Sequence, residues 1–345
     1  MKTKKKLTAK HIAKIAGVSP TAVSFALNGK AGISDGTRQH IFDVMRRTNY
    51  ISSKTQTAGH NPNIAMMFRN DPEPISLFYT ELNNRMIAIC KDHLCNFFVA
   101  MAYRKESSIE FSDFMQPNFI DGVITYGDIE NDILKALANS GIPFVSLDSS
   151  RRNSGQASIQ VDYEEAAFRA TSFLIGNGHT DIAYIGNNNA RLYAYNLLVF
   201  TGFQRATSQN RISLNTNRIQ FGANDEQGLR DSIDSLIFAK NRPTALFCIN
   251  DYYAILAIRY LHTIGLRVPD DISVIGIDDI NISRSTIPAL TTVKVDCELI
   301  ARKGFEMIQA LIKGEAHKNA VINTFEIVER ESVKNISENE AEGGS

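Results

Sequence analysis

The 345-residue chain has no net charge to offer, with 37 Lys plus Arg against 37 Asp plus Glu. It has no apolar run near the roughly 18 residues a membrane span needs, so no membrane partner is expected. Cysteines are few, at 90, 95, 248 and 297, and no pair spacing repeats. That usage excludes a disulfide framework and suits thiols packed as small hydrophobes in a reducing cytoplasm. The start, MKTKKKLTAKHIAKIAG, is rich in lysine but never reaches a long apolar stretch, so no secretory signal is read there. No Walker loop or His-Glu-x-x-His helix occurs. Catalysis has no candidate constellation, and neither an enzyme nor a cofactor is expected.

Taken whole, zero net charge argues against a nucleic-acid binder, whose footprint is a basic excess. The charges are unevenly spread, however. Residues 1–60 hold 11 basic and two acidic side chains, a net +9, which leaves 26 basic against 35 acidic afterwards, or −9. Two electrostatically opposite pieces are joined.

The basic piece reads as three short helices over residues 8–50. Thr8 can cap the first, whose Ile12, Ile15 and Ala16 are expected on one face, and Gly17 suits its end. Ser19 as N-cap and Pro20 at the first position start a second helix, which stops at Asn28-Gly29. The short link through Val18 is that of a helix-turn-helix. Ser34-Asp35 starts a third, with Ile41, Val44 and Met45 at spacings of three and four. In such a unit Val23 and Leu27 are expected to face the small core, and Thr21, Ala22, Ser24 and Phe25 to face the major groove. Thr and Ser can bond base edges or phosphates, and an Ala methyl can touch a thymine methyl. The lysines, Lys10 among them, and Arg38 are expected to neutralise phosphates. Thr8, Ser19, Pro20, Asn28, Ser34 and Thr37 complete the candidate DNA-binding surface.

The stretch AKHIAKIAGVSPTAVSFALNGKAGISDGTRQHIFDVMRRTNY resembles the DNA-binding head of the LacI/GalR family of transcriptional regulators. The block AGVS…VS..LN, then IS..TR, then NY carries the likeness, which continues to about residue 333. Further matching phrases are DIAYIG, PTALFCINDYYA, GLRVPDDISVIGIDD and PALTTVKVD.

From Asn63 onward, short apolar runs alternate with amphipathic stretches. Candidate strands are Ile64–Phe68, Phe97–Met101, Gly122–Tyr126, Pro143–Leu147, Ile182–Ile185, Thr244–Ile249 and Ile272–Ile277. Helical patterns at Tyr79–Lys91, Tyr163–Ile175, Glu226–Ala239 and Tyr252–Ile264 lie among them. This alternation means parallel sheets covered by helices, in two α/β lobes. The expected fold is therefore an all-α helix-turn-helix head on an α/β core of two lobes, each a parallel sheet flanked by helices. The resemblance implies a periplasmic-binding-protein-like core crossed three times by the chain. The expected division is a DNA-binding domain 1–50, a linker 51–62, a first lobe 63–160 plus 294–322, a second lobe 161–293 plus 323–335, and a disordered tail 336–345.

Two local patterns point elsewhere and fail. Gly176-Asn177-Gly178-His179 precedes a strand, whereas a dinucleotide loop must follow one. Cys90, His93 and Cys95 lack a second ligand pair, and a helix-to-strand boundary should splay them. Binding residues do emerge. The resemblance implies pocket positions at Phe78, Tyr79, Tyr126, Asp148, Asn250 and Asp278, each at an expected strand end where an open sheet binds ligands. Tyr193 and Tyr195 fall where relatives often have small polar residues. Where sugar-responsive relatives carry an Arg this chain has Val199, and apolar Val295 and Ala223 replace polar and aromatic positions. The linker is about three residues short of the family's hinge helix and lacks its Leu wedge and Arg, so DNA bending weaker than that of relatives is expected.

A solute-binding protein shares the two-lobed core but needs a signal segment where this chain has a helix-turn-helix. An α/β enzyme needs a phosphate loop or catalytic cluster. The expected function is a cytoplasmic, homodimeric repressor that binds a near-palindromic double-stranded operator. A small-molecule effector, a sugar or other metabolite, is expected between its lobes. Candidate dimer surfaces are the stripe Leu82, Met86 and Ile89 and the helix after Asp251.

Overall fold

The computed structural model describes residues 8–27, 32–48, 61–68, 77–105, 108–116, 119–149, 156–187, 193–223, 225–316 and 318–337. Asn28, linker residues 51–60 and tail residues 338–345 lie outside the described residues.

The head is built from α1 (Ala9–Ala16), α2 (Pro20–Leu27) and α3 (Asp35–Arg47). The Thr8 N–H donates to His11 Nδ1 at 3.2 Å, which closes the first turn of α1. Gly17 ends that helix at φ 63°, a left-handed conformation that costs a side-chain-free residue little. Two residues later Ser19 Oγ accepts the Ala22 N–H at 3.0 Å, so α2 starts where Ser-Pro places it. Ile12, Ala13, Ala16, Val23, Ala26, Ile41, Val44 and Met45 form one small core, with Leu27 half-buried against it. Ile15 corrects the expected face: it is 53% exposed, and Ala13 is buried instead. At about 100° per residue, Ile12, Ala13 and Ala16 form the stripe that meets α2 and α3, and Ile15 falls outside it.

Beyond the head stand two six-stranded sheets. The first runs β13 (Ala320–Ile322), β7 (Ser158–Val161), β6 (Phe144–Leu147), β5 (Gly122–Tyr126), β1 (Asn63–Met67) and β2 (Asn96–Ala100), with every pairing parallel. The second runs β14 (Glu326–Val328), β12 (Thr291–Lys294), β11 (Ser273–Asp278), β10 (Ala245–Cys248), β8 (Ile182–Ile185) and β9 (Ile219–Gln220). There, among the described residues, β12 and β14 pair antiparallel and the other strand pairings are parallel. Helices α4 (Leu77–Asp92), α5 (Asn131–Ser140) and α10 (Cys297–Lys313) pack with the first sheet and its hairpin. Helices α6 (Tyr163–Gly176), α7 (Tyr193–Gln209), α8 (Glu226–Ile237) and α9 (Asp251–Thr263) belong to the second. Strands β1, β5, β8 and β10 are buried along their whole length, as strands covered on both faces must be.

The chain passes between the sheets three times: from β7 into α6, from β12 into α10, and from β13 to β14. Asp162 marks the first passage and caps α6 by accepting the Glu165 N–H; Asp296 marks the second and caps α10 through the Leu299 N–H at 2.9 Å.

Strand–helix alternation breaks early in the first lobe. Between β2 and β5 stands an antiparallel hairpin of β3 (Ala102–Lys105) and β4 (Ser108–Phe111) rather than a helix. The segment has a period of two, with Ile109 and Phe111 turned inward and Ser108 and Glu110 outward. Phe98, Phe114 and Phe119 cluster nearby with ring centroids 5.3–6.5 Å apart. A second correction concerns the Leu82, Met86 and Ile89 stripe of α4. Leu82 and Met86 are fully buried in the first lobe's core and Ile89 packs against it, so the stripe is core and not a dimer surface.

Candidate functional site

On the head, Thr8, Lys10, Ser19, Pro20, Thr21, Ser24 and Ser34 are exposed, whereas Ala22, Phe25, Thr37 and Arg38 are half-buried. Several have local structural partners. Ser34 Oγ accepts the Thr37 N–H at 3.1 Å as a helix cap, in the manner of Ser19. The Arg38 guanidinium donates to the carbonyls of Phe25 and Ala26 at 3.2 and 3.3 Å, at the negative end of the α2 dipole. The Phe25 ring lies over Gly32, where a Cβ would meet it at 2.8 Å. Lys10, Thr21 and Ser24 are exposed polar side chains beside a helix start built from Ser19 and Pro20.

The cleft between the sheets gathers most of the expected pocket residues around Asp148. This residue follows β6 in a left-handed conformation, φ 57°, which turns its carboxylate toward α4 and α6. Oδ2 accepts the Tyr79 hydroxyl at 2.9 Å, and Oδ1 accepts the Tyr163 hydroxyl at 2.8 Å. Burial pushes the Asp148 carboxyl up to about 7, against the pull of the two tyrosine bonds and with the help of nearby Asp128. The Tyr79 ring stacks on Tyr126 at 6.1 Å and 9°, and its hydroxyl passes so close to Gly127 that a Cβ there would lie 2.6 Å away. Gly127 (φ 68°) must be small for Tyr79 to reach Asp148. Phe78, in contrast, is a core residue of the first lobe, 4% exposed.

Across the cleft, the Tyr195 hydroxyl donates to the Ile249 carbonyl at 2.9 Å, and its ring meets Tyr163 edge to face at 4.6 Å. Tyr193 is the first residue of α7; its side chain lies outside the described residues. Asn250 accepts the Tyr253 N–H at 3.1 Å and so caps α9. Asp278 ends β11 at φ 130°. Burial first, then the neighbouring carboxylates of Asp251, Asp148 and Glu81, hold its carboxyl well above the usual range. Val199, Val295 and Ala223 are buried apolar residues. Among the described residues the cleft is thus framed by tyrosines and carboxylates.

Three contributors escape sequence reasoning. Tyr163 begins α6 and looks like a helix start; only its place just after the first passage between lobes marks it. Glu81 accepts the Asn281 N–H from the opposite lobe. Asp251, fully buried, accepts the Ile280 N–H at 3.1 Å and the hydroxyls of Ser283 and Thr292 at 2.6 and 2.5 Å. Its only sequence signal is the phrase Asn250-Asp251 at a strand-to-helix junction.

The two patterns set aside earlier have structural roles. His179 is bonded through Nδ1 to Thr244 Oγ1 and through Nε2 to the Lys334 carbonyl, each at 3.0 Å. His93 packs on the Phe305 ring at 4.7 Å, while Cys95 Sγ lies 3.6 Å from the His93 carbonyl. Among the described residues no helix is long and apolar enough to cross a membrane.

A three-helix head with a capped helix-turn-helix, carried on two lobes of mostly parallel sheet that meet at a cluster of tyrosines and carboxylates, defines a DNA-binding regulator. Residues 8–53 match the model for bacterial regulatory proteins of the lacI family, and residues 171–333 match a periplasmic binding protein-like domain. The chain thus joins a lacI-family DNA-binding head to a periplasmic binding protein-like domain. It is 28% identical over 341 residues to the HTH-type transcriptional repressor PurR of Vibrio parahaemolyticus, covering 96% of this chain and 99% of the relative. Its fold is shared with the lac repressor dimer bound to operator and the anti-inducer ONPF, at TM-score 0.65 and 22% identity, covering 96% of this chain and all of the other. It is also shared with a LacI family regulator from Enterococcus faecium with bound ribose, at TM-score 0.67 and 20% identity, covering 80% of this chain and all of the other.

Proposed function

We propose that the chain is a cytoplasmic repressor, without enzymatic activity, that binds a near-palindromic operator as a homodimer. Its operator affinity is set by a small molecule bound between the lobes. The observation that carries this reading is Asp148, held between Tyr79 of one lobe and Tyr163 of the other at 2.9 and 2.8 Å. A carboxylate at that junction can accept hydroxyls and report on the angle between lobes. The candidate pocket is Phe78, Tyr79, Tyr126, Asp148, Tyr193, Tyr195, Asn250 and Asp278, with Phe78 acting from beneath and Asn250 by placing α9. The effector is a sugar or a related hydroxylated metabolite. The ribose and ONPF complexes of its structural neighbours and the name of its PurR relative support a small polar ligand.

The DNA surface is Thr8, Lys10, Ser19, Pro20, Thr21, Ala22, Ser24, Phe25, Asn28, Ser34, Thr37 and Arg38, with base reading by the exposed face of α2 and Arg38 acting by holding the end of that helix rather than a phosphate. The chain divides near residues 50 and 62 and at the three passages between sheets. Exposed Leu77 and Ile87 on α4, with Tyr252 and Ile282 of the second lobe, are the dimer surface. Selection of bound sites from random double-stranded DNA at stated salt tests the reading, since specificity is a ratio to nonspecific binding. A two-fold symmetric motif is expected; the absence of any symmetric motif contradicts the reading.

A further inference from the structure

Tyr79 and Tyr163 make nearly equal bonds to one carboxylate, yet they join different things. Asp148 follows β6, in the first lobe's sheet, and Tyr79 lies on α4 of that same lobe. Tyr163 is the first residue of α6, which packs on α7 and on β11 and β12 of the second lobe. The Tyr79 bond is therefore internal to a lobe, while the Tyr163 bond spans the cleft. Tyr163 is also braced from its own side: the Tyr195 ring stands edge-on to it at 4.6 Å, and Tyr195 is tied to the Ile249 carbonyl. Both oxygens of Asp148 are thus taken by hydroxyls that the protein itself supplies.

We propose that Tyr163 is a built-in occupant of the effector cleft. Its phenol holds, on Asp148 Oδ1, the position a hydroxyl of the effector takes, so the lobes are drawn together without a ligand and an effector must displace it. This rests on the cleft being the effector site. It makes Tyr163 a specificity-determining residue: a ligand is selected by how well its hydroxyl and ring replace a phenol wedged between Asp148 and Tyr195. A hydrogen bond to a carboxylate of this kind shifts an opening equilibrium roughly ten- to a hundredfold.

The Asn281 N–H reports on the cleft independently, because it donates to Glu81 across the lobes. Hydrogen exchange at that amide in the full chain, with the radius of gyration in solution, is the test. Tyr163→Phe is expected to speed Asn281 exchange about tenfold or more and to expand the molecule. Tyr79→Phe, which loses the same chemistry within one lobe, leaves both unchanged. Equal effects of the two variants, or none from Tyr163→Phe, overturn the proposal. Asp148→Asn provides a second route: it should open the cleft as Tyr163→Phe does, and the double variant no further. Phenol is the ligand probe. It should restore slow Asn281 exchange to Tyr163→Ala but not to Tyr163→Ala combined with Asp148→Asn, and failure of that rescue counts against the proposal. Rescue by phenol, with no small molecule ever altering DNA binding, would uphold the occupant and refute the effector reading.

Discussion

Glu81 on α4 accepts the backbone N–H of Asn281, a residue of the opposite lobe. Asn281 can be there because Asp251 holds the turn that carries it, through the Ile280 N–H and the Ser283 hydroxyl, while its other oxygen takes the Thr292 hydroxyl. One fully buried carboxylate thereby sets the contact between lobes from beneath. Asp251→Ala leaves three buried donors unpaired, and a loss of about 3–5 kcal/mol in unfolding free energy is expected by denaturant titration. Asp251→Asn keeps an acceptor and the shape, and should lose less. A loss within about 0.5 kcal/mol of zero for the Ala variant would show that the turn does not need its carboxylate.

Stability should depend on pH in two opposing ways. Burial raises the carboxyls of Asp148 and Asp251 to about 7, above their usual range near 4. A raised carboxylate favours the fold at low pH, so their contribution is full below about pH 4 and is lost as pH rises through about 7. Burial lowers His179, which favours the fold above about pH 6.5 and loses that contribution as pH falls. Urea midpoints taken from about pH 5 to about pH 8 should fall less with rising pH in Asp148→Asn than in the parent. An equal fall in both would contradict the assignment.

Arg38 and Lys10 should separate structure from contact. Arg38 donates to the last carbonyls of α2, whereas Lys10 is exposed. Arg38→Met is expected to lower head stability by about 1–2 kcal/mol while leaving the salt dependence of DNA affinity nearly unchanged. Lys10→Ala should leave stability alone and reduce the slope of log affinity against log salt by about one. A reduced slope in Arg38→Met would identify it as a phosphate ligand.

Local signals made most elements readable in the sequence. Ser19-Pro20 starts α2 where such a pair must, and β5 and β8 fall on their apolar runs Gly122–Tyr126 and Ile182–Ile185. What period alone could not decide was which side of an apolar stripe is covered. Leu82 and Met86 face inward because α10 and the sheet lie there, and Ile15 faces outward because α2 and α3 gather on the other side of α1. The β3–β4 hairpin was hidden behind a general rule of alternation that its own period of two contradicts. In the cleft, strand ends pointed to Tyr79, Asp148 and Asp278. Tyr163, Glu81 and Asp251 take their roles from partners 15, 200 and 29 residues away in sequence, which no local pattern encodes.

Coupling between cleft and head is tested most directly by operator affinity at fixed salt, using a ligand found by its thermal stabilisation of the full chain. With the parent protein, saturating ligand should change operator affinity about tenfold or more. With Asp278→Asn, binding of both ligand and its effect on DNA should be much reduced, while operator affinity without ligand persists. A ligand that stabilises the chain through this cleft, yet leaves operator affinity unchanged in the parent, would contradict regulation through the lobes.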